Sequence, residues 1–264
     1  MINFKHPKVQ FIALLLLLFI ITMFHLDTLT SLKLLILSVG FTGLFDVLFA
    51  KLKKQEIQIP YSGIITGLIL TLIIDPGATW YQVLIIALAA IGIKDFLRIS
   101  DRHIFNPAAS GLLVGFFLFG LNPSWWGPTP YSFSKMHPVN IGLAVSVFAL
   151  AYVSCYRYKR YFNVLGYLVV SIILQVVLLS STFSNAISAM INPGSLFFAL
   201  VMLPEPMTTP VSKIRQMMFG VLVAFVNLGL VYGLSTGVFS GIANFPDTSL
   251  IALLLANLIF FKFR

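Results

Sequence analysis

Residues 60–76 read PYSGIITGLILTLIIDP, and residues 193–206 read PGSLFFALVMLPEP. Each stretch opens on a proline, places a serine two residues later, runs apolar, and stops at an acid followed by proline. Proline suits the first turn of a helix, where its missing N–H is an orphan anyway, and an acid-proline pair turns the chain out of helix. The apolar runs offer roughly 14 and 10 residues, whereas a helix needs about 20 to cross the hydrocarbon. Lipid satisfies no free backbone group, so such short helices must lie among other helices or face a cavity. Matched discontinuous helices in two parts of one chain point to a binding site between them.

The surrounding sequence identifies the solvent as lipid. Of 264 residues, 59% are hydrophobic and only 9% charged, against about a quarter charged in a soluble domain. Ten apolar segments can be marked, at about 9–26, 29–50, 61–74, 80–97, 107–121, 139–156, 162–180, 194–203, 214–234 and 248–262. This predicts an all-α polytopic membrane protein with about ten transmembrane segments, of which the fifth, at roughly 15 residues, is a third one too short for a full span. The 25 phenylalanines suit lipid-facing packing.

The net charge of +9 is a topology signal here. Lys5 and Lys8, Lys51 to Lys54, Lys94 to Arg102, Arg157 to Arg160, Lys213 and Arg215, and Lys262 and Arg264 all fall on one side if all ten segments cross. The other side keeps Lys33 and Lys135, with Asp27, Asp75 and Asp247 and the aromatic NPSWWGPTPYSF stretch, which suits an interface or outer loop. That is the positive-inside pattern, placing both termini in the cytoplasm of a multi-pass cell-membrane protein, and it removes nucleic acid as a partner. The start of the chain reads as a retained first helix, since no small-x-small cleavage site follows it. The two short stretches are the third of five segments in each half, and five is odd. A single membrane domain, 1–264, would therefore consist of two inverted repeats, about 1–122 and 123–264. Gly63 with Gly67 and Gly111 with Gly115 have the spacing that lets helix backbones approach.

Ionisable residues at membrane depth are candidates for function because burying charge is costly. Asp46 lies within the second segment, where snorkelling or pairing with Lys51 or Lys53 is the plain reading. Lys94 and Asp95 read as an ion pair or as site residues. Asp75 and Glu205 close the matched stretches as turn caps or as functional acids. Basic residues from Lys94 to Arg102 lead into the helix starting at Pro107, a setting for a phosphate, a carboxylate or lipid headgroups. The sequence has no P-loop, dinucleotide glycine motif, nucleophile elbow or zincin motif. Cys155 is alone, reads as a buried bystander, and belongs to no metal cluster. His6, His25, His103 and His137 are not spaced as intramembrane haem pairs.

Several motifs resemble the NqrB/RnfD family, the membrane subunits of the sodium-translocating NADH:quinone reductase and of the Rnf complex. They are SGIITGLIL at 62–70, Ile93-Lys94, IFNPAASGL at 104–112 and GSLFFALVMLPEPMTTP at 194–210, so the resemblance covers about 60–260. It implies ten helices in two inverted halves, a fold related to urea transporters, and flavin-dependent electron transfer coupled to ion movement. By matching position it implies Ser62, Thr66, Lys94, Asn106, Glu205, Thr208 and Thr209 around a flavin or ion path. Lys94 would hold a phosphate or reduced-flavin anion, and Asn106 would bridge exposed backbone at the start of the fifth helix.

The sequence departs from the family at two points. The family's threonine motif for phosphoester-linked FMN is not found near Thr129 and Ser132, which predicts FMN or riboflavin held non-covalently, or no flavin. The family's Asp-Pro is Glu205-Pro206 here. No soluble domain is present to bind a nucleotide, so the chain is expected to be one subunit of a membrane redox complex, embedded in the lipid bilayer, and not a complete enzyme. The alternatives are a channel or secondary transporter for a small solute on the same inverted scaffold, and a structural assembly factor.

Overall fold

Polar side chains at the breaks decide where several of the apolar runs begin to coil. Asp27, Asn106, Asn192, Ser212 and Asp247 each accept a hydrogen bond from a backbone N–H in the first turn that follows. At the start of another helix the Gln82 side chain accepts the Thr79 N–H at 2.8 Å. The computed structural model describes residues 6–56, 58–128, 138–242 and 244–263. In chain order its helices are α1 Pro7–Thr22, α2 Thr28–Leu52, α3 Tyr61–Ile73, α4 Trp80–Phe96, α5 Pro107–Phe119 and α6 Pro138–Ala151. They continue with α7 Tyr161–Leu178, α8 Phe183–Met190, α9 Pro193–Phe197, α10 Lys213–Ser235 and α11 Thr248–Phe260. Wider π turns extend α6 through Tyr152–Arg157 and α9 through Phe198–Met202. A two-stranded antiparallel hairpin, β1 Arg98–Ile99 and β2 Arg102–His103, joins α4 to α5 and sets Arg98 opposite His103.

This is an all-α membrane protein. All ten expected segments are helical, but among the described residues only α2, α7 and α10 are by themselves long and apolar enough to cross a membrane. α8 and the extended α9 form a pair bent by 59° that would count as a fourth, broken span. α8 itself was not expected. Its eight residues, FSNAISAM, are too few and too mixed to stand out as an apolar run, and it starts because Thr182 accepts a hydrogen bond from the Asn185 N–H.

The two proline-bounded stretches are the most enclosed parts of the protein, as their length required. In α3 every residue from Thr66 to Ile73 is buried, and so is every residue from Leu196 to Leu203. Large apolar side chains left exposed, among them Ile36, Leu44, Phe148, Val177 and Phe225, lie on the outer helices, where lipid is their natural solvent.

The end of α3 also shows what the tryptophan stretch does. The Ser124 N–H and Trp125 N–H donate to the Ile73 carbonyl at 2.8 and 3.2 Å, and the Gly127 N–H donates to Leu72 at 2.9 Å. The Ser124 hydroxyl reaches the Ile74 carbonyl at 3.2 Å. Residues 122–128 therefore fold inward to satisfy the orphan carbonyls of a short helix. Trp126 is only 5% exposed, which corrects the expectation of an interface or outer loop for this part. The rest of the stretch, 129–137, lies outside the described residues.

Small residues set the helix spacing. A Cβ on Gly63 would lie 2.9 Å from the Thr42 carbonyl, and one on Gly111 would lie 2.6 Å from the Ile86 carbonyl. The glycine pairs thus bring α3 onto α2 and α5 onto α4. The tightest approach is at Gly220 on α10, where a Cβ would collide with the Asn163 carbonyl and stand 2.8 Å from the Tyr167 nitrogen of α7. Gly220→Ala is expected to destabilise the protein by about 1–3 kcal/mol through overpacking. Gly229→Ala, with nothing within 4 Å, is expected to leave the melting temperature in detergent unchanged or slightly raised.

Candidate functional site

The basic ends of α2 and α4 meet the starts of α3 and α5 around a cavity of about 700 Å³, within the range of small-molecule sites. Phe11, Ile65, Ile69 and Val201 give it apolar walls, while Ser62, Thr66, Lys94, Asn106, His103 and Glu205 supply polar groups. Five of the seven residues implied from sequence thus line one space. Thr208 and Thr209 do not line it. Both are fully buried and donate to Glu205, Thr208 to the carboxylate at 3.0 Å and Thr209 to the carbonyl at 2.7 Å. They position the acid.

Asp46 organises one side of the cavity. One carboxylate oxygen takes the Lys94 ammonium and the other accepts the Gly63 N–H at 3.1 Å. α3 has Pro60 at its cap position and no side-chain cap of its own. A carboxylate from α2 does that work from outside the helix, favourable at the positive end of a helix dipole. The close approach needs glycine at 63, because a side chain there would press on Asp46 itself. Asp46 therefore neither snorkels nor pairs with Lys51 or Lys53. Lys94 and Asp95 do not pair with each other either, because consecutive helical residues diverge by about 100°. Asp95 instead meets Lys53 at 3.2 Å and Arg98 at 3.8 Å.

The hairpin builds the other side. His103, 4% exposed, places Nε2 2.9 Å from the Glu205 carboxylate. The spacing of the histidines in the sequence does not reveal the partner of His103, because Glu205 is 102 residues away. Glu205 is thus a cavity acid, whereas Asp75 accepts the Gly77 N–H at 2.7 Å and is a turn cap.

Asn106 does what was expected and more. Its Oδ1 accepts the Ala109 N–H at 3.0 Å and caps α5, while its Nδ2 donates to the Met202 carbonyl at 3.4 Å, where the extended α9 ends. Ser154 donates to the Leu200 carbonyl of the same stretch. Thr66 donates to the Ser62 carbonyl at 3.0 Å, so its oxygen keeps acceptor capacity. Burial pushes the Tyr158 phenol above its ordinary pKa, with the charge of Arg157 pulling the other way. It stays protonated at neutral pH as a donor at the cavity wall. Among the described residues no group of three or more His, Cys, Asp or Glu side chains is placed to hold a metal ion. Cys155 is buried and donates weakly to the Leu200 carbonyl at 3.8 Å.

The NQR2, RnfD, RnfE family matches residues 3–142. That span contains Ser62, Thr66, Lys94 and Asn106 and ends before Glu205, Thr208 and Thr209. No curated protein matches the chain.

Lys94→Met strands Asp46 in a site where its side chain is only 15% exposed. Breaking a buried pair this way is expected to cost about 3–5 kcal/mol. The double variant Asp46→Asn with Lys94→Met should recover a large part of that loss. Thermal unfolding of the two single variants and the double variant in detergent checks this; strictly additive losses would mean that the pair does not couple.

Proposed function

Because the chain belongs to the NQR2, RnfD, RnfE family, we propose that it is a membrane subunit of a flavin-dependent electron transport complex of the NADH:quinone reductase or Rnf type, working with other subunits that supply electrons. The observation that carries this reading is the gathering of Ser62, Thr66, Lys94, Asn106 and Glu205 around one cavity of about 700 Å³. Its composition fits a flavin, with apolar walls for a flat ring and hydrogen-bonding groups for its edge. Ser62, Thr66, Tyr158 and Lys94 would hold that edge. An ammonium has three donors, and Asp46 engages one of those on Lys94. A bound flavin supplies one- and two-electron redox chemistry. The chain's own residues fix its place: Asp46 holds Lys94 and His103 holds Glu205 at the cavity wall. The attachment is proposed as non-covalent from sequence; Thr129 and Ser132 lie outside the described residues.

Two inverted halves in about ten spans, with both termini cytoplasmic, form part of the same proposal. The reciprocal capping of the two short helices supports it. Ser124, Trp125 and Gly127 of the second half take the carbonyls of α3 in the first, and Asn106 of the first half takes a carbonyl of the extended α9 in the second.

Coupling to ion movement is supported by a polar column on α7. Asn163, Tyr167, Ser171 and Gln175 recur every four residues and are all buried. The Asn163 amide and the Gln175 Nε2 have no protein partner among the described residues. Asn227 on α10 donates to the Tyr167 hydroxyl at 3.3 Å and accepts from Thr248 at 2.7 Å. Buried amides without partners at membrane depth are places where water or a cation is favoured. The same column is what favours the second reading, a channel or secondary transporter.

Purified protein is expected to carry flavin absorbance that leaves on denaturation, with no fluorescent band on a denaturing gel. Glu205→Gln with Lys94→Gln is expected to lower flavin occupancy. Protein devoid of flavin, together with solute or cation flux into liposomes without an electron donor, would reject the redox reading in favour of the transporter.

A further inference from the structure

Arg160 and Arg102 present a charge imbalance that the cavity residues leave untouched. Arg160 stands at the cap position of α7 and is 7% exposed, and Arg102 is half-buried on β2. Buried cations are ordinarily paired. No carboxylate lies within ion-pair distance of either among the described residues. Glu205, beside the Pro206 that Arg160 contacts, has one oxygen on His103 and the other on Thr208. Arg160 has one long contact to protein, from Nη2 to the Pro206 carbonyl at 3.4 Å, and its Nε has none. The Nη1 of Arg102 is buried and has none either. Arg102 adjoins His103, which bonds Glu205, and Arg160 reaches the carbonyl of Pro206, the next residue, so both guanidinium groups belong to the surroundings of one turn. Burial, and then the like charge of Arg102, pull the Arg160 pKa down. The start of α7 adds to the same field, since no side chain caps it and its free N–H groups carry the positive end of the helix dipole.

We propose that Arg102, Arg160 and the start of α7 form a binding site for a phosphate group, beside the cavity and separated from it by Glu205 and Pro206. Two planar guanidinium forks with unused donors suit the oxygens of a phosphate, which a single carboxylate would only half satisfy. The phosphate can come from an anionic phospholipid headgroup or from a free phosphate ester such as that of FMN. The site stands on the unpaired arginines and does not depend on the flavin reading.

The test is thermal unfolding of the detergent-purified full chain, titrated with inorganic phosphate against chloride at matched ionic strength. Phosphate is expected to raise the melting temperature saturably, and chloride is not. Arg160→Gln and Arg102→Gln are expected to melt at or above the parent temperature without phosphate, because each removes an uncompensated charge, and to bind phosphate at least about tenfold more weakly. Arg160→Lys, which keeps charge without the fork, should fall between. Competition by FMN but not riboflavin assigns the phosphate to the flavin. Retention of phosphatidylglycerol over phosphatidylcholine in native mass spectrometry, lost in Arg160→Gln, assigns it to lipid. A parent protein indifferent to phosphate and to both probes, or glutamine variants that respond as the parent does, would overturn the site. Loss of flavin binding with the phosphate response intact would overturn only the redox proposal.

Discussion

One carboxylate within an apolar helix holds three helices in register. Asp46 of α2 takes the ammonium of Lys94 on α4 with one oxygen and the Gly63 N–H of α3 with the other. Neither contact would be worth much in water, where solvent competes for both groups. At this depth the alternative to pairing is a stranded charge and an orphan N–H, so the arrangement is close to obligatory. Gly63 follows from it, because any side chain there would displace the acid that caps the helix. The mouth of the cavity is the space left between these three helix ends and the hairpin after α4.

The cavity exists because two helices stop early. A helix that ends inside a membrane protein leaves carbonyls that lipid cannot satisfy, and each end is met by a segment from elsewhere in the chain. For α3 the segment is 124–127, and for the extended α9 it is Asn106 with Ser154. These contacts convert two truncated helices into fixed walls and put Asn106 to double use, as cap of α5 and as clamp on α9. A substitution at Asn106 would loosen both, which makes it a structural keystone of the site whatever the site binds.

Charge near the cavity is arranged in two manners. Asp46 with Lys94, Asp95 with Lys53 and Arg98, and Glu205 with His103 are acids that each have a partner. Arg102 and Arg160 have no carboxylate within ion-pair distance among the described residues. Strand alternation separates the two kinds, since neighbouring residues of β2 point to opposite faces. His103 turns toward the cavity acid, and Arg102 joins the second, uncompensated pair.

Periodicity and length determined most of the helical content from the sequence alone. Apolar runs, their polar breaks and their prolines are local signals, so all ten expected segments are helical, and Gly63, Gly67, Gly111 and Gly115 lie at close contacts. The same local reasoning found that three segments were too short to stand in lipid, and hence that something had to be built around them. It missed α8, which has no long apolar run, and the inward fold of residues 122–128, whose purpose is set by carbonyls 50 residues earlier in the chain. Partner choice belonged to the tertiary structure. Lys94 has Asp95 beside it in sequence yet pairs with Asp46, 48 residues away, and His103 finds Glu205 across 102 residues. Hydrogen bonds and ion pairs act over a few ångströms, and sequence separation carries no information about that distance until the helices have packed.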